Sequence, residues 1–470
     1  FLCQLFPHFV ILFTHKCIPL SVLLPAKSFY SIINFKKIYK EKLMKIVGLI
    51  TEYNPFHNGH LYHMQKAKEI TGADSVIAVM SGNYVQRGAP AIMPKHLRAE
   101  VALEAGIPLV LELPVCYASG SAEYFADGAI SLFEKLGCID SICFGSECGD
   151  YYLLEKVAHV TADEPETYKQ TLQDALKQGL SFPLARQAAL KAYFQDPSLD
   201  DILEQPNNIL GIEYIKALYL RKSPIGAYTI RRRISGYHDK ELSPGYSSAS
   251  AIRRLLAFAG NSVHLASEEM YDEPGLSEVL TRLEGQVPPS CIRSLEETHR
   301  VRYPVYANDF SLLFRYRLLT ETRESLAGYL DMTEELANRM INHANDFITF
   351  DQFCDLLKTR DMTYSRISRC LLHILLNIRT EDMTLYKEEG GCQYARVLGF
   401  SKDGAKLLTR IKRTSSVPLL TKLTQTEGLS KAGLRMLRQD IFAADLYESV
   451  ITDKFKMPFI SEYQQQIVRV

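Results

Sequence analysis

His57-Asn58-Gly59-His60 is the stretch whose residue types and spacing best suit chemistry. Two imidazoles three residues apart in a first helical turn lie on one face. A helix start offers free backbone N–H groups and the positive end of a dipole, and both favour an anion. Gly59 has no side chain, so a flat ring such as adenine can approach the backbone. Together these residues suit a nucleoside triphosphate attacked at its α-phosphate. The same tetrapeptide alone also reads as an ordinary helix start, with Asn58 as the cap and both histidines solvated. Its surroundings favour the chemical reading. Ile46-Val47-Gly48-Leu49-Ile50 is an apolar strand pattern, Asn54-Pro55 breaks it, and helical spacing resumes after His57.

The elements that must position this corner follow in alternation. Strands are predicted at 75–80, 108–113, 140–144 and 225–230, with helices between them. Short, continuous apolar strands alternating with helices predict a parallel sheet covered on both faces, an α/β Rossmann-like domain. The polar loop 81–90 leaves the carboxyl end of the second strand, where open α/β sheets bind ligands. Ser247-Ser248-Ala249-Ser250-Ala251-Ile252-Arg253 predicts a second anion-binding helix start, or simple capping of a surface helix. Val287-Pro288-Pro289-Ser290 reads as a linker, after which Gly and Pro thin out. The expected organisation is therefore an extension at 1–43, a nucleotidyltransferase-like domain at 44–290 and a largely helical domain at 291–470. In the last, 402–438 is basic, and Arg410, Lys412 and Arg413 are candidates for nucleic-acid contact. Tyr394, Phe400 and Arg410 suit stacking on unpaired bases.

Composition narrows the field. The formal net charge is zero, so any nucleic-acid contact must come from a local patch. The 10 cysteines form no CxxC pair and fit reduced, mostly buried thiols of a cytoplasmic protein. Cys138, Cys143 and Cys148 are evenly spaced, but small apolar residues in and beside a buried strand explain them better than a metal site. No run of eighteen apolar residues predicts a membrane span. Residues 1–43 lack the charge order of a secretory signal, and Met44 opens directly onto the first strand. Translation is expected to begin at Met44, which would leave 1–43 poorly ordered with few contacts to the core.

The segment 47–60 resembles the start of the bacterial tRNA(Met) cytidine acetate ligases, of the HxGH nucleotidyltransferase-like superfamily. The likeness runs from Met44 to the C-terminus through Met80-Ser81-Gly82, Gln86-Arg87-Gly88, Phe144-Gly145-Ser146-Glu147, 206–211 and Tyr237-His238-Asp239. It implies that ATP activates acetate to acetyl-adenylate, which acetylates the exocyclic amine of the wobble cytidine in elongator tRNA(Met). It also implies ATP contacts at Ile50, Thr51, Glu52, Tyr53, Asn54, Pro55, Phe56, His57, Asn58, Gly59, His60, Leu61, Tyr62 and His63, and at Gly145, Asn208 and Arg233, with His57 and His60 catalytic. Ser248, Ser250 and Arg253 resemble the superfamily's second phosphate signature, with Ala251 where a small polar residue is usual. Arg410, Lys412 and Arg413 become the tRNA candidates. Magnesium is expected with the ATP, held by side chains or by the triphosphate alone. Glu52 and Asp239 are candidates for managing the amine proton. Two alternatives are a cofactor-type adenylyltransferase and a non-catalytic tRNA-binding protein. A class I synthetase is disfavoured, because no lysine-rich second signature follows the sheet.

Overall fold

The computed structural model describes residues 44–199, 202–232, 247–259 and 275–470. The expectations for residues 1–43, Arg233 and Asp239 lie outside these. Five parallel strands form the body of the sheet: β1 (Ile46–Thr51), β2 (Ser75–Ser81), β5 (Leu109–Leu113), β6 (Ser141–Ser146) and β7 (Gly226–Arg231). Two short strands, β3 (Tyr84–Val85) and β4 (Ala89–Pro90), make a separate hairpin on the loop after β2. The helices that matter for the site are α1 (Asn58–Thr71), α2 (Lys95–Glu104), α3 (Ala122–Leu136), α4 (Pro206–Leu220), α5 (Ala249–Phe258) and α6 (Tyr364–Leu376). Two further helices, α7 (Gly404–Thr414) and α8 (Lys431–Phe455), lie in the last part of the chain.

The five strands lie in the order β5-β2-β1-β6-β7. The order reverses between β1 and β6, and in doubly wound sheets the crevice at such a reversal is where ligands bind. Both faces are covered, which is why the strands read as unbroken apolar runs. Val47 and Leu49 share a core with Met64 and Ala67 of α1 and Ala99, Val101 and Ala102 of α2. On the opposite face Phe133 of α3 presses against Gly48.

The carboxyl ends of β1 and β2 are tied by one buried cation. Arg98 of α2 donates to the carbonyls of Glu52, Ser81, Gly82 and Met93. Burial lowers its pKa to about 10, so it stays charged at neutral pH.

The boundary expected near 290 does not separate two cores. Val287, Cys291, Leu295 and Tyr303 belong to the same apolar cluster as β1 and β2. Val287 is buried, and Pro289 is the first residue of helix Pro289–Thr298, so this segment starts a helix instead of linking domains. Residues after 290 are largely helical, and Phe314, Leu336, Phe353 and Leu371 gather in a helical cluster of their own. The chain then returns to the sheet. β8 (Ala395–Phe400) pairs antiparallel with β5, while β9 (Leu419–Leu420) and β10 (Val468–Arg469) pair with the outer edge of β8. These strands are too short or too isolated in sequence to stand out among helical spacing.

The hairpin meets α6 at Gly88. This residue has φ +78°, and a Cβ there would fall 2.3 Å from the Arg369 amide nitrogen. Ser368 Oγ donates to the Gly88 carbonyl at 2.8 Å. Gly88→Ala combines a left-handed backbone with a backbone clash. It should lower the unfolding free energy by roughly 2–3 kcal/mol, read as a lower urea midpoint.

Candidate active site

α1 starts at Asn58, and its cap is His57 instead of Asn58. His57 Nδ1 accepts from the Gly59 amide at 3.0 Å, and His60 Nδ1 accepts from the His57 amide at 3.2 Å. A neutral imidazole that accepts at Nδ1 carries its proton on Nε2. The hydrogen-bond network therefore assigns both rings the Nε2–H tautomer. The rings stack with centroids 3.8 Å apart, and both line a cleft of about 430 Å³ at the carboxyl ends of β1 and β6. Tyr53 and Phe56 hold His60 from behind, at ring distances of 5.0 and 5.4 Å. Tyr53 sits at φ 47°, a strained position for a bulky residue and one that recurs at functional turns.

The backbone amides expected to be free here are engaged. The Asn58 amide donates to the Gln286 carbonyl, and those of His60 and Leu61 donate to the His57 carbonyl. The ring Nε2–H groups are left as the donors at this corner. The rings are also uncharged. Burial drives His57 down to about 3, with Arg232 and Arg253 adding to the effect. Burial, His57, His63 and Arg232 hold His60 well below its usual value. Burial brings His63 to about 4, opposed by its bond to the Cys143 carbonyl, with Arg232 lowering it further. The positive charge of the cleft thus rests on its arginines.

Three further walls complete it. At the end of β6, Gly145 leaves room for Arg232, since a Cβ there would meet Arg232 Cγ at 3.2 Å. Arg232 Nη1 donates to Asn207 Oδ1 at 3.2 Å, and both residues line the cleft. Asn208 turns inward: it is buried, and its Oδ1 accepts from the amides of Glu147 and Cys148 at 3.0 and 3.1 Å. From α5, Ser248 caps the helix by accepting from the Ala251 amide, and Arg253 reaches Ser250 Oγ at 3.1 Å and the Asn54 carbonyl at 2.8 Å. Ser248, Ser250 and Arg253 all line the cleft, while Ala251 is buried, which explains an apolar residue there. The last wall brings Gln86 and Arg87 from the hairpin loop together with Ser365 and Arg369 from α6. Glu52 Oε1 accepts from the Gln86 amide at 3.0 Å.

The block 50–63 is divided by the fold. Ile50, Thr51, Glu52, His57, Gly59, His60, Tyr62 and His63 line the cleft. Tyr53 and Phe56 are buried in the core, and Leu61 packs against it. Asn54 Oδ1 accepts from the Ile92 amide, Asn58 Nδ2 donates to the Gly285 carbonyl, and Pro55 is buried in the turn. These residues shape the corner from behind.

Sequence reasoning missed Arg232, Asn207, Ser365 and Arg369. The arginine run after β7 was a visible signal for the first, whereas nothing local marked Ser365 and Arg369. The basic candidates Arg410, Lys412 and Arg413 lie elsewhere. Their helix α7 is fixed by Thr414 Oγ1, which donates to the Leu136 carbonyl at 2.7 Å, in the turn that feeds the amino end of β6. The cleft lies at the other end of β6, about 20 Å away along a six-residue strand. Tyr394 is buried with its hydroxyl bonded to Asp440, so it offers no stacking face. Cys138 and Cys143 are buried, and burial raises their thiols to about 11 and about 12. Among the described residues no cluster of three or more His, Cys, Asp or Glu is placed to hold a metal, and no helix is long and apolar enough to cross a membrane.

A histidine whose folded pKa is depressed lets the unfolded state bind more protons in acid. Stability is therefore retained above pH ~6.5 and lost as pH falls toward the folded value. His57 alone should contribute a slope of up to about 1.4 kcal/mol per pH unit between pH ~6 and ~4. Urea unfolding at pH 7, 6 and 5 should show a shallower pH dependence for His57→Gln than for the wild type.

The description "HIGH Nucleotidyl Transferase" belongs to the family model that matches residues 44–460. A tRNA(Met) cytidine acetate ligase of Acetivibrio thermocellus is 40% identical over 407 residues, covering 86% of this chain and 94% of its own. Its namesake in Alkaliphilus metalliredigens is 39% identical over 418 residues, with the same shares covered. Among solved structures, Thermotoga maritima TmcAL bound with alpha-thio ATP matches with a TM-score of 0.79 and 30% identity, over 91% of this chain and 99% of that one. The apo form of the same protein matches with a TM-score of 0.81 over 91% and 100%. With a stacked histidine pair at the reversal point of a 3-2-1-4-5 sheet and relatives of this similarity along nearly the whole described chain, the protein belongs to the HIGH nucleotidyl transferases and, within them, to the tRNA(Met) cytidine acetate ligase family.

Proposed function

We propose that this cleft binds ATP and acetate, forms acetyl-adenylate with release of pyrophosphate, and transfers the acetyl group to the exocyclic amine of the wobble cytidine in elongator tRNA(Met). The observation that carries the reading is the paired Nε2–H donors of His57 and His60 beside Arg232 and Arg253. A carboxylate that attacks an α-phosphate meets a group of its own sign. Fixed donors and guanidinium charges around that phosphate reduce the repulsion and stabilise the charge on the transition state. Neutral histidines suit this role, because they donate without needing a proton from solvent. Acetate oxygen bonds to phosphorus as the bond to pyrophosphate breaks. The cytidine amine then bonds to the acetyl carbon, AMP leaves, and the amine gives up one proton.

Glu52 is the carboxylate in the cleft lining among the described residues, and we assign it to accept that proton. One carboxylate, already bonded to the Gln86 amide, is a poor magnesium cage. A magnesium ion fits better as a passenger of the triphosphate. Ser365 and Arg369 bring the C-terminal part into the wall, which favours a large acceptor over the small one of a cofactor adenylyltransferase.

Incubation with labelled acetate, ATP and tRNA(Met) should place label on the tRNA. Unlabelled tRNA would overturn the reading. His57→Ala and His60→Ala should each lower acetate-dependent ATP–pyrophosphate exchange by roughly 10²–10³-fold, with melting curves confirming a folded protein.

A further inference from the structure

A second cleft, of about 680 Å³, opens beside the outer edge of β8. β9 pairs with Ala395 and Arg396, and β10 pairs with Gly399 and Phe400, so Val397 and Leu398 face a gap between the two short strands. The loop after β9 and the tail before β10 form its rims. We propose that this notch is an RNA-docking site that grips nucleotides flanking the one held in the catalytic cleft. The inference rests on the functional reading above.

Three observations carry it. First, the described lining has cationic and neutral polar side chains but no Asp or Glu. Arg396, on its floor, is spent on Glu112 at 2.9 Å and on Glu462. Lys422 and Arg469 stand exposed at the rims and leave the notch positive. Second, Tyr463 is 59% exposed, with Gln464 and Thr424 beside it in the lining. An open aromatic ring between cations, with amide and hydroxyl groups, matches an unpaired base stacked on tyrosine and phosphates met by Lys and Arg. A small anion would need no exposed aromatic face.

Third, one end of the notch, at Arg396, lies on the catalytic rim, while its Arg469 end reaches back toward the amino end of β5. Strand register places Arg396, Glu112, Met80 and Thr51 in one transverse row, since Arg396 pairs with Glu112 and Thr51 with Met80. The row Met80–Glu112 joins them across β2 and β5. Arg396 lines the notch, and Thr51 lines the catalytic cleft. Three strand spacings separate them, about 14 Å. A nucleotide seated in one cleft therefore leaves its neighbours within reach of the other.

The test measures tRNA(Met) binding by the full chain across 50–200 mM salt, without ATP or acetate. Lys422→Glu/Arg469→Glu should weaken binding at least tenfold and flatten the log–log salt slope by about 1–2. Tyr463→Ala should weaken it roughly tenfold with little change in slope. The neutral pair Lys422→Gln/Arg469→Gln should show the same flattening in smaller measure, and a melting curve for each variant excludes unfolding as the cause. Unchanged affinity and slope in the charge-reversed pair would overturn the inference. So would inorganic phosphate or AMP binding at the notch while tRNA affinity stays intact. These readouts need no catalysis. If wild-type protein bound tRNA through the notch but put no label on it, the functional reading would fail alone.

Discussion

The guanidinium of Arg98 is the constraint on which the catalytic corner depends. The carbonyls of Glu52, Ser81, Gly82 and Met93 converge on it inside the protein. Buried carbonyls without donors are costly, and so is a buried cation without acceptors. Each group here removes the other's cost. The geometric result matters more than the energy. The chain that leaves β1 carries Glu52 and the histidines, and the chain that leaves β2 carries Gln86 and Arg87. A fixed cation between the two strand ends sets the distance between those two walls.

The cleft combines neutral rings with permanent charges. Both histidines use Nδ1 to satisfy backbone amides, which fixes ring orientation and tautomer together. Tyr53 and Phe56 cover one side of the His60 ring, and its burial, together with His57, His63 and Arg232, favours the uncharged form. The arginines that surround an anionic ligand stay charged because guanidinium is so basic. Donors that need not change protonation, beside cations that do not lose theirs, form a preorganised environment for phosphate chemistry.

The far edge of the sheet is closed by the last part of the chain. Lys95, Glu112, Arg396 and Glu462 form a buried network, with Lys95 Nζ at 2.7 Å from Glu112 and 2.8 Å from Glu462. Such networks add little net stability compared with apolar packing, but breaking one partner is costly. Here they pin β8 and the C-terminal tail to β5 and α2, residues more than 280 positions apart in sequence. An open sheet edge invites unwanted pairing, and β8, β9 and β10 cover this one. The same closure frames the second cleft, with Lys422 just after β9 beside Arg396 and Arg469 opposite Phe400 at the other end of β8.

What the sequence determined by itself was local. The alternation of apolar runs and helical spacing specified the parallel strands, because side chains buried on both faces must be apolar at every position. The break at Asn54-Pro55 and the HxGH spacing specified the corner, because capping and ring stacking act over three residues. Tertiary structure decided the rest. It turned the Asn208 side chain inward onto the amides of the β6 loop and left Asn207 to bridge Glu147 of that loop and Arg232 in the cleft. It consumed the amides of α1, scattered the basic run of 402–438 over different ends of the sheet, and delivered Ser365 and Arg369 from a helix that carried no sign of the site. Those outcomes depend on contacts between residues distant in sequence, which no local period or spacing encodes.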